Sequence, residues 1–411
     1  MSRVHRAAWV LPIVGQPIRD GWVAVANGRI AALGHWGQTP VSGSSGSEHW
    51  GQTPMEGPAP QVAILPGLVN AHAHLELSWM RGMVPPGDSM PAWAARLIGV
   101  RRAAGADAPA PIADAVAEAR GFGTALVGDV TNSLAACDVL RESDLAAAIF
   151  YELIGFKTTD AAAIVRAALD KLPLLPADGR LRATIAPHAP YSVSPDLFRA
   201  IAAATDGQPL SVHLGESPEE VRFLGDGTGA WRDLLERIGA WTPDWPVPAC
   251  GPVEYLDRLG LVNDRLIAVH GAQLTDGELR ALANAGATMV TCPRSNRWTG
   301  AGTPPVARFY ESGVRVAIGT DSLASVEDLN VFAEMAAVRG LAPDVAAARI
   351  LRSATLDGAV ALGFGSELGS IEPGKRAALI AVAIPPDLPR EAEDVEEYLV
   401  GGIGSRQIAW L

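Results

Sequence analysis

Eight short apolar runs, separated by amphipathic segments rich in alanine, dominate the chain from residue 61 onward. The runs are residues 62–74, 124–129, 147–155, 181–188, 210–216, 266–274, 287–292 and 314–321. Strands that alternate with helical segments form parallel βαβ units. Eight such units over roughly 260 residues predict an α/β fold with a closed (β/α)8 TIM barrel.

Both ends of the chain differ from this middle part. Residues 21–33 read as a hairpin, because two β-rich runs flank the turn signal Asn27-Gly28. After the eighth run come two helical stretches, 328–340 and 344–362, then a turn and strand over 369–382 and more β-like sequence. We therefore predict a small β-sandwich domain formed by both termini. Its parts are 1–60 and 366–411, and the barrel spans 61–365.

Residues 34–60 are rich in glycine, serine and proline, which predicts a flexible loop. The sequence His35-Trp-Gly-Gln-Thr-Pro40 recurs there as His49-Trp-Gly-Gln-Thr-Pro54. We interpret the repeat as a local duplication in a surface loop. A metal-binding role for His35 and His49 is the alternative, and nothing else in the sequence supports it.

Composition excludes several classes of protein. The chain has 411 residues, 48% of them hydrophobic, and a net charge of −12 without a basic run, so we expect no nucleic-acid or membrane-surface partner. Its three cysteines are far apart, which is typical of a reducing compartment. The short apolar stretch 8–15 contains Pro12 and reads as a strand, not as a signal peptide. We expect a soluble cytoplasmic protein.

The candidate site residues lie where the predicted strands end. Barrel enzymes carry their chemistry at the C-terminal ends of the strands. Five of the eight histidines follow residue 60, and each lies near the end of an apolar run: His72, His74, His188, His213 and His270. Asp321 ends the eighth run. Such a set predicts a metal-dependent active site.

A catalytic zinc-like ion takes a few nitrogen and oxygen ligands and keeps one position open for water. His72, His74, His213 and Asp321 would provide three imidazoles and one carboxylate. Such an ion lowers the pKa of its bound water toward about 7. Glu216, three residues after His213, is placed to shuttle protons between water and substrate. His270 is a second candidate for proton handling, and Asp321 is a further acceptor for the water proton.

These residues lie in motifs that resemble the amidohydrolase superfamily. The motifs are Pro66-Gly-Leu-Val-Asn-Ala-His-Ala-His74, Val212-His-Leu-Gly-Glu216, Val269-His270-Gly, Thr291-Cys-Pro-Arg-Ser-Asn296 and Gly319-Thr-Asp-Ser322. They look most like its mononuclear branch of nucleoside and nucleobase deaminases and chlorotriazine hydrolases. The resemblance implies one divalent metal per chain, Zn(II) or alternatively Fe(II), on His72, His74, His213 and Asp321. It also implies Glu216 and His270 as the proton-handling pair.

The number of metals follows from a difference within the superfamily. Binuclear relatives carry a bridging carboxylated lysine, usually on strand four, whereas the fourth run here ends in His188. Lys157, which follows the third run, is expected on the surface. We therefore predict a single ion. Members of the family are often dimers, so a homodimer is left open.

Two further motifs indicate which members of this branch the chain resembles most. Residues 74–78 and 186–192 look like 6-aminodeoxyfutalosine deaminases, which belong to the futalosine route to menaquinone, and relatives acting on S-adenosylhomocysteine and methylthioadenosine. The resemblance implies a small-molecule nucleoside substrate. Hydroxide would add to C6 of its adenine ring, Glu216 would protonate N1, and ammonia would leave. His188 would contact the substrate.

Additional pocket residues are expected in the first βα loop. Glu76, Trp79 and Arg81 begin this loop and are predicted to bind substrate, and Arg96 or Arg294 would pair with a substrate carboxylate. Asp129 and Glu152 end runs two and three and are placed to face the pocket. Cys292, Ser295 and Asn296 would support the metal ligands. A purely structural role is the alternative for each of these residues.

Two other functions are compatible with parts of the pattern. The same site would serve a chlorotriazine-type hydrolase or an enzyme that opens a cyclic amide. A barrel without metal, acting as a scaffold, is the alternative from another class. The presence of every ligand and of both proton-handling residues argues against it.

Overall fold

The computed structural model describes residues 2–37, 58–104, 109–172, 174–176, 178–387 and 391–411. Most of the loop predicted over 34–60, including the second copy of the repeat with His49, lies outside the described residues. The first copy begins at His35, which is the last residue of a strand. The ring Nδ1 of His35 lies 3.2 Å from the carbonyl oxygen of Arg19.

The strands follow one another along the described chain in two groups, one at the termini and one in the middle. They are β1 (Ser2–Val10), β2 (Ile18–Ala26), β3 (Arg29–His35), β4 (Val62–Pro66), β5 (Leu68–Ala73), β6 (Thr124–Thr131), β7 (Ala146–Leu153), β8 (Leu181–Pro187), β9 (Leu210–Leu214), β10 (Leu266–His270), β11 (Thr288–Thr291), β12 (Arg315–Ile318), β13 (Leu379–Ala383) and β14 (Ile408–Trp410).

Helices occupy the connections and the C-terminal part. They are α1 (Met90–Ala104), α2 (Pro109–Gly121), α3 (Cys137–Glu142), α4 (Ala161–Leu169), α5 (Pro195–Ala204), α6 (Pro218–Asp226), α7 (Ala230–Arg237), α8 (Pro252–Arg258), α9 (Asp276–Asn284), α10 (Pro293–Thr299), α11 (Val306–Ser312), α12 (Val331–Leu341), α13 (Ala347–Arg352), α14 (Gly358–Ala361) and α15 (Ala392–Val400). Short 3-10 turns span Leu75–Met80 and Ser405–Gln407, and a π turn spans Ser353–Asp357. No helix in the described ranges is long and apolar enough to cross a bilayer.

The middle strands form the predicted TIM barrel. β5 to β8 pair in parallel in chain order, and β9 to β12 do the same. Two backbone hydrogen bonds join these halves: the Asp321 N–H donates to the His72 carbonyl at 3.0 Å, and the His213 N–H donates to the His188 carbonyl at 2.9 Å. β5, β6 and β7 are buried along their whole length, as expected of strands covered on both faces.

The terminal strands form one mixed sheet in the order β14-β13-β4-β1-β2-β3. β2 and β3 are the hairpin predicted around Asn27 and Gly28, which have positive φ values of 52° and 72°. Left-handed conformations at both central positions are what the tight turn of a hairpin requires. The β domain built from both termini is therefore present. Its exact boundaries stay predictions.

Two predicted elements are wrong in detail. The first apolar run is two strands, because β4 pairs with β1 and β13 in the terminal sheet and only β5 enters the barrel. They meet at Gly67, where a Cβ atom would lie 2.6 Å from that of Ala125. The β-like C-terminal sequence contains α15, because Val395, Leu399 and Val400 share one helical face and are buried in the main core.

Candidate active site

Five predicted residues meet at the C-terminal rim of the barrel. His72, His213 and His270 lie on β5, β9 and β10, while His74 and Asp321 come just after β5 and β12. The ring centroids of His72 and His74 are 4.9 Å apart, and those of His72 and His213 are 4.8 Å apart. Asp321 Oδ1 lies 3.4 Å from His74 Nε2 and 3.9 Å from His72 Nε2. Residues up to about 250 positions apart therefore form one cluster.

The seam between β5 and β12 fixes this arrangement. The Asn70 side chain donates to Thr320 Oγ1 at 2.8 Å, and the Thr320 N–H donates back to Asn70 Oδ1 at 3.0 Å. Reciprocal bonds of this kind leave neither buried amide group without a partner. They hold the residues on either side, His72 and Asp321, at a constant separation.

The cluster fits a divalent cation. Ligand atoms of His72, His74 and Asp321 lie within 4.8 Å of one another, and so do those of His72, His213 and His270. Both ring nitrogens of His72 are buried without a hydrogen-bond partner, and Nε2 of His213 lies 3.4 Å from a carboxylate oxygen of Glu152. Burial, followed by the neighbouring imidazoles, lowers the pKa of His72 well below its usual value. A neutral imidazole is the form that binds a metal.

The backbone is unusual at two of these residues. His270 has φ 77° and Asp321 has φ 64°, in the left-handed region that non-glycine residues rarely adopt. Such conformations cost roughly 1–3 kcal/mol and persist where the surroundings over-determine them. Both occur where a barrel strand ends, so they aim the side chains into the site.

Glu216 and His270 form the second part of the site. Glu216 Oε1 lies 3.5 Å from His270 Nε2, and its Oε2 is buried without a partner. Burial raises the pKa of Glu216 to about 8, which favours the protonated acid at neutral pH in the absence of a cation. His270 Nε2 is also 3.0 Å from His213 Nδ1. The pair is placed to exchange a proton with a molecule beside the cluster.

Glu220 holds the backbone that carries Glu216. Its carboxylate accepts the N–H groups of Gly215 and Glu216, both at 2.9 Å. The sequence pattern Ser217-Pro-Glu-Glu220 suggests a capping box, and Ser217 does cap α6 by accepting the Glu220 N–H. The Glu220 carboxylate, however, bonds the turn before the helix. Sequence analysis missed this role because it depends on how the Glu220 side chain folds back onto the turn before its helix.

Three residues, Cys292, Ser295 and Asn296, were predicted to support the metal ligands. Ser295 Oγ donates to Asp321 Oδ2 at 2.5 Å. Cys292 and Asn296 are fully buried nearby, on the C-terminal side of β11, and the Asn296 side chain interacts with His270. A support role for Ser295 is therefore visible as a contact, whereas those of Cys292 and Asn296 stay predictions.

A cavity of about 510 Å³ opens above the cluster. Its floor includes His74, His213, Glu216, His270 and Asp321, and one side is apolar with Met90, Trp93, Leu97, Trp231 and Leu234. His188 also lines the cavity, with its ring centroid 4.8 Å from that of His213 and Nδ1 2.6 Å from Ser192 Oγ. A polar floor beneath apolar and aromatic walls suits a planar heterocycle.

Three predicted substrate residues lie outside this cavity. The Glu76 carboxylate is 1% exposed and accepts hydrogen bonds from residues 131–133, including Thr131 Oγ1 at 2.6 Å. Arg81 pairs with Glu118 at 2.7 Å and donates to a backbone carbonyl. Trp79 packs against a hydrophobic cluster that includes Met80. None of the three is among the residues that line this cavity, so their predicted role in binding substrate stays a prediction.

Some of the other proposed pocket residues line the cavity, and others lie outside it. Glu152 and the surface residue Lys157 both line the cavity. Asp129 is buried outside it and accepts the Leu75 N–H at 2.9 Å. Arg96 is exposed outside the cavity, and Arg294 pairs with Asp328 at 2.8 Å. Neither arginine therefore lies where a substrate in the cavity would reach it.

Sequence analysis missed one cavity wall. Trp93, Leu97 and Arg101 all line the cavity from α1. Their spacing of four residues places them on one helical face, which is a signal that the sequence contains. It was not recognised because nothing in the sequence tells which face of this helix meets the barrel rim.

Comparison with known proteins adds to this geometry. The model of the amidohydrolase family matches residues 63–401. An aminodeoxyfutalosine deaminase from Deinococcus radiodurans is 34% identical over 312 residues, covering 72% of this chain and 72% of that protein. A 5-methylthioadenosine/S-adenosylhomocysteine deaminase from Moorella thermoacetica is 30% identical over 406 residues, which cover 95% of this chain and 88% of that protein.

A solved structure agrees along nearly the whole chain. An adenosine deaminase from Xanthomonas campestris with bound zinc is 31% identical and superposes with a TM-score of 0.77. The similarity covers 98% of this chain and 90% of that one.

Proposed function

This chain belongs to the amidohydrolase family and is a hydrolase of carbon–nitrogen bonds other than peptide bonds, and from that premise we propose that it deaminates the adenine ring of 6-aminodeoxyfutalosine in the futalosine route to menaquinone. The observation that carries the proposal is the pairing of Glu216 and His270 beside the imidazole–carboxylate cluster, at the floor of an apolar cavity. The relative from Deinococcus radiodurans supports the choice of substrate.

The cofactor in this proposal is one divalent ion, held by His72, His74, His213 and Asp321. The unpartnered ring nitrogens of His72, and the close approach of the ligand atoms of His72, His74 and Asp321, support these ligands, and zinc in the Xanthomonas campestris structure supports Zn(II). When bound, such an ion supplies water whose pKa is lowered toward about 7.

The protein's own residues supply the proton transfers. Water adds to C6 of the ring, and Asp321 or His270 accepts its proton. Glu216 donates a proton to N1, which makes C6 more electrophilic. The exocyclic amino group then takes the proton held by Asp321 or His270 and leaves as ammonia, while the C6 hydroxyl returns a proton to Glu216, so that adenine and water become hypoxanthine and ammonia.

The cavity walls orient the substrate for this step. Trp93 and Trp231 offer aromatic surfaces for the ring or for an aromatic substituent. His188 is placed to donate or accept a hydrogen bond beside the ring. The residues of the floor are largely buried, which strengthens each of their electrostatic contacts with the substrate.

A second substrate is supported by a specific observation. The relative from Moorella thermoacetica covers 95% of this chain and is named for deamination of 5-methylthioadenosine and S-adenosylhomocysteine. Both compounds contain the same adenine ring, so the chemistry at C6 would be identical. The choice depends on the part of the cavity that surrounds the substituent.

The first prediction tests the mechanism through Glu216. The purified enzyme should release ammonia from adenine nucleosides, with the absorbance shift of adenine to hypoxanthine. General acid–base groups contribute about 10²- to 10⁴-fold to rates, so Glu216→Gln should lower the rate at least about 100-fold. Its metal content should stay near that of the wild type, because Glu216 is not a proposed ligand.

The matched control is Glu236→Gln, which changes an exposed glutamate paired with Arg232 and should leave activity unchanged. Full activity in Glu216→Gln would contradict the mechanism. Failure of the wild type to release ammonia from any adenine nucleoside would contradict the proposed function itself.

A further inference from the structure

We infer that Arg101 binds a carboxylate carried by the substrate at the end remote from the reacting ring, and that it makes the enzyme select adenine nucleosides that carry a carboxylate. This inference rests on the proposed function and adds the chemical class of substituent. Two arginines were expected from the sequence to fill such a role, Arg96 and Arg294. Neither lines the cavity, whereas Arg101 does.

The position of Arg101 follows from a chain of contacts along one wall. His213 Nε2 lies 3.4 Å from Glu152 Oε1. Asn132 Nδ2 donates to Glu152 Oε2 at 2.9 Å, and Arg101 donates to Asn132 Oδ1 at 3.3 Å. Two side chains therefore separate the guanidinium from the imidazole at the floor. If the adenine ring reacts beside His213, the substituent at the other end of the substrate lies near Arg101.

The guanidinium is held in place on its other side. It donates to Glu76 Oε1 at 3.0 Å. Glu76 is buried and also accepts hydrogen bonds from Thr131, Asn132 and Ser133, so it is a fixed anchor. The Arg101 side chain nevertheless remains 31% exposed and lines the cavity. A guanidinium pre-oriented in this way loses little conformational entropy when it binds an anion.

The charges of the cavity also favour an anion at this end. Glu152, Glu216 and Asp321 are the acidic residues of the described lining, and all three contact the histidine cluster at the floor. Arg101 and Lys157 are the arginine and the lysine of this lining, and both are more exposed than the three acidic residues. Arginine binds carboxylates with parallel hydrogen bonds, and such contacts discriminate strongly against a neutral group.

The test compares substrates that differ mainly in this substituent. S-adenosylhomocysteine carries a carboxylate and methylthioadenosine does not, while the adenine ring is the same. Aminodeoxyfutalosine, whose aromatic arm carries a carboxylate, is the second probe with a carboxylate. The measurement is kcat/KM for ammonia release by the wild type, by Arg101→Met and by Arg101→Lys, each loaded with metal.

Arg101→Met should lower kcat/KM for the two nucleosides that carry a carboxylate by roughly 10- to 100-fold, the loss expected for hydrogen bonds to a charged group. Its activity on methylthioadenosine should change less than about threefold, which also shows that the variant is folded. Arg101→Lys keeps the charge but lacks the planar fork, so it should fall between the two. Arg102→Met is the matched control, because Arg102 is exposed on the same helix and outside the cavity.

Equal losses on nucleosides with and without a carboxylate would overturn the inference and assign Arg101 a structural role. A wild type that deaminates methylthioadenosine as well as it deaminates both probes with a carboxylate would also overturn it, while leaving deamination intact. A wild type that deaminates none of them would instead overturn the proposed function.

Discussion

Asp129 illustrates at the scale of one residue how burial changes a group that a sequence offers as reactive. It ends the second apolar run, as a catalytic acid would, but its side chain is fully buried outside the cavity. One oxygen accepts the Leu75 N–H at 2.9 Å and the other has no partner. Burial raises the pKa of this carboxyl to about 8. It is therefore a neutral structural acid at pH 7.

We predict that replacement of Asp129 by asparagine stabilises the protein, and that this gain in the free energy of unfolding depends on pH. Between its ordinary pKa near 3.8 and the folded value of about 8, the unfolded chain is ionised and the folded chain keeps the proton. The free energy of unfolding then falls by about 1.4 kcal/mol per pH unit as the pH rises. Asp129→Asn removes this loss, so its advantage over the wild type should grow from pH 5 to pH 8.

The measurement is the midpoint of urea unfolding for both proteins across that pH range. Asp196→Asn is the control, since Asp196 is 84% exposed at the start of α5. A constant difference between Asp129→Asn and the wild type at every pH would show that Asp129 is ionised in the folded state.

At the scale of the element, the approach of β12 to β5 decides whether the site exists. Gly319 follows β12 directly, and a Cβ atom there would lie 2.8 Å from the His72 carbonyl oxygen and 2.9 Å from its nitrogen. Only glycine permits two backbones to come this close. The seam carries His72 on one side and Asp321 on the other, so its width sets the size of the metal site.

Gly319→Ala should therefore widen the seam and weaken the site. Overpacking of this kind costs about 1–3 kcal/mol, and the displaced His72 should lower the metal content per chain. The readouts are the Tm and metal analysis of the purified protein. Retention of full metal content with an unchanged Tm would contradict this role for Gly319.

Gly99→Ala is the control for the glycine change. Gly99 lies within α1, and a Cβ atom there meets nothing within 4 Å. Alanine is favoured over glycine inside a helix by about 0.5–1 kcal/mol. This variant should be slightly more stable than the wild type and should bind metal normally.

At the scale of the whole molecule, Trp410 joins the terminal sheet to the barrel. Its indole N–H donates to the Arg120 carbonyl at 2.9 Å, and the Arg120 guanidinium stacks 3.4 Å from the ring centre. The ring also packs beside Gly67, where the chain passes from β4 to β5. The last strand of the chain thus contacts both the helix layer and the first barrel strand.

Trp410→Ala should destabilise the whole protein by about 2 kcal/mol, somewhat below the cost of a fully buried tryptophan. Its kcat should stay near that of the wild type, because the contact lies away from the cavity. Thermal unfolding with an activity assay measures both. Trp36→Ala is the control, since Trp36 stacks on Arg6 within the terminal sheet. A loss of kcat without a loss of Tm would contradict this interpretation.

Much of the site was predictable because parallel strands place their C-terminal ends on one rim. His72, His74, His213, His270 and Asp321 could be assigned to that rim from their positions at the ends of apolar runs. The cavity wall beyond His188 could not. Glu76 and Arg81 follow His74 in sequence, but their loop turns toward Thr131 and Glu118. Trp93 and Arg101, further along, form the wall instead.

The sequence by itself determined the barrel, the terminal β strands and the set of reactive residues, because periodic burial and strand ends are local patterns. The tertiary structure alone decided which face of α1 meets the cavity, that Glu220 holds the Glu216 backbone, and that Gly319 brings β12 against β5. The physical reason is that these features are contacts between segments far apart in the chain. No local pattern of residues encodes such distances.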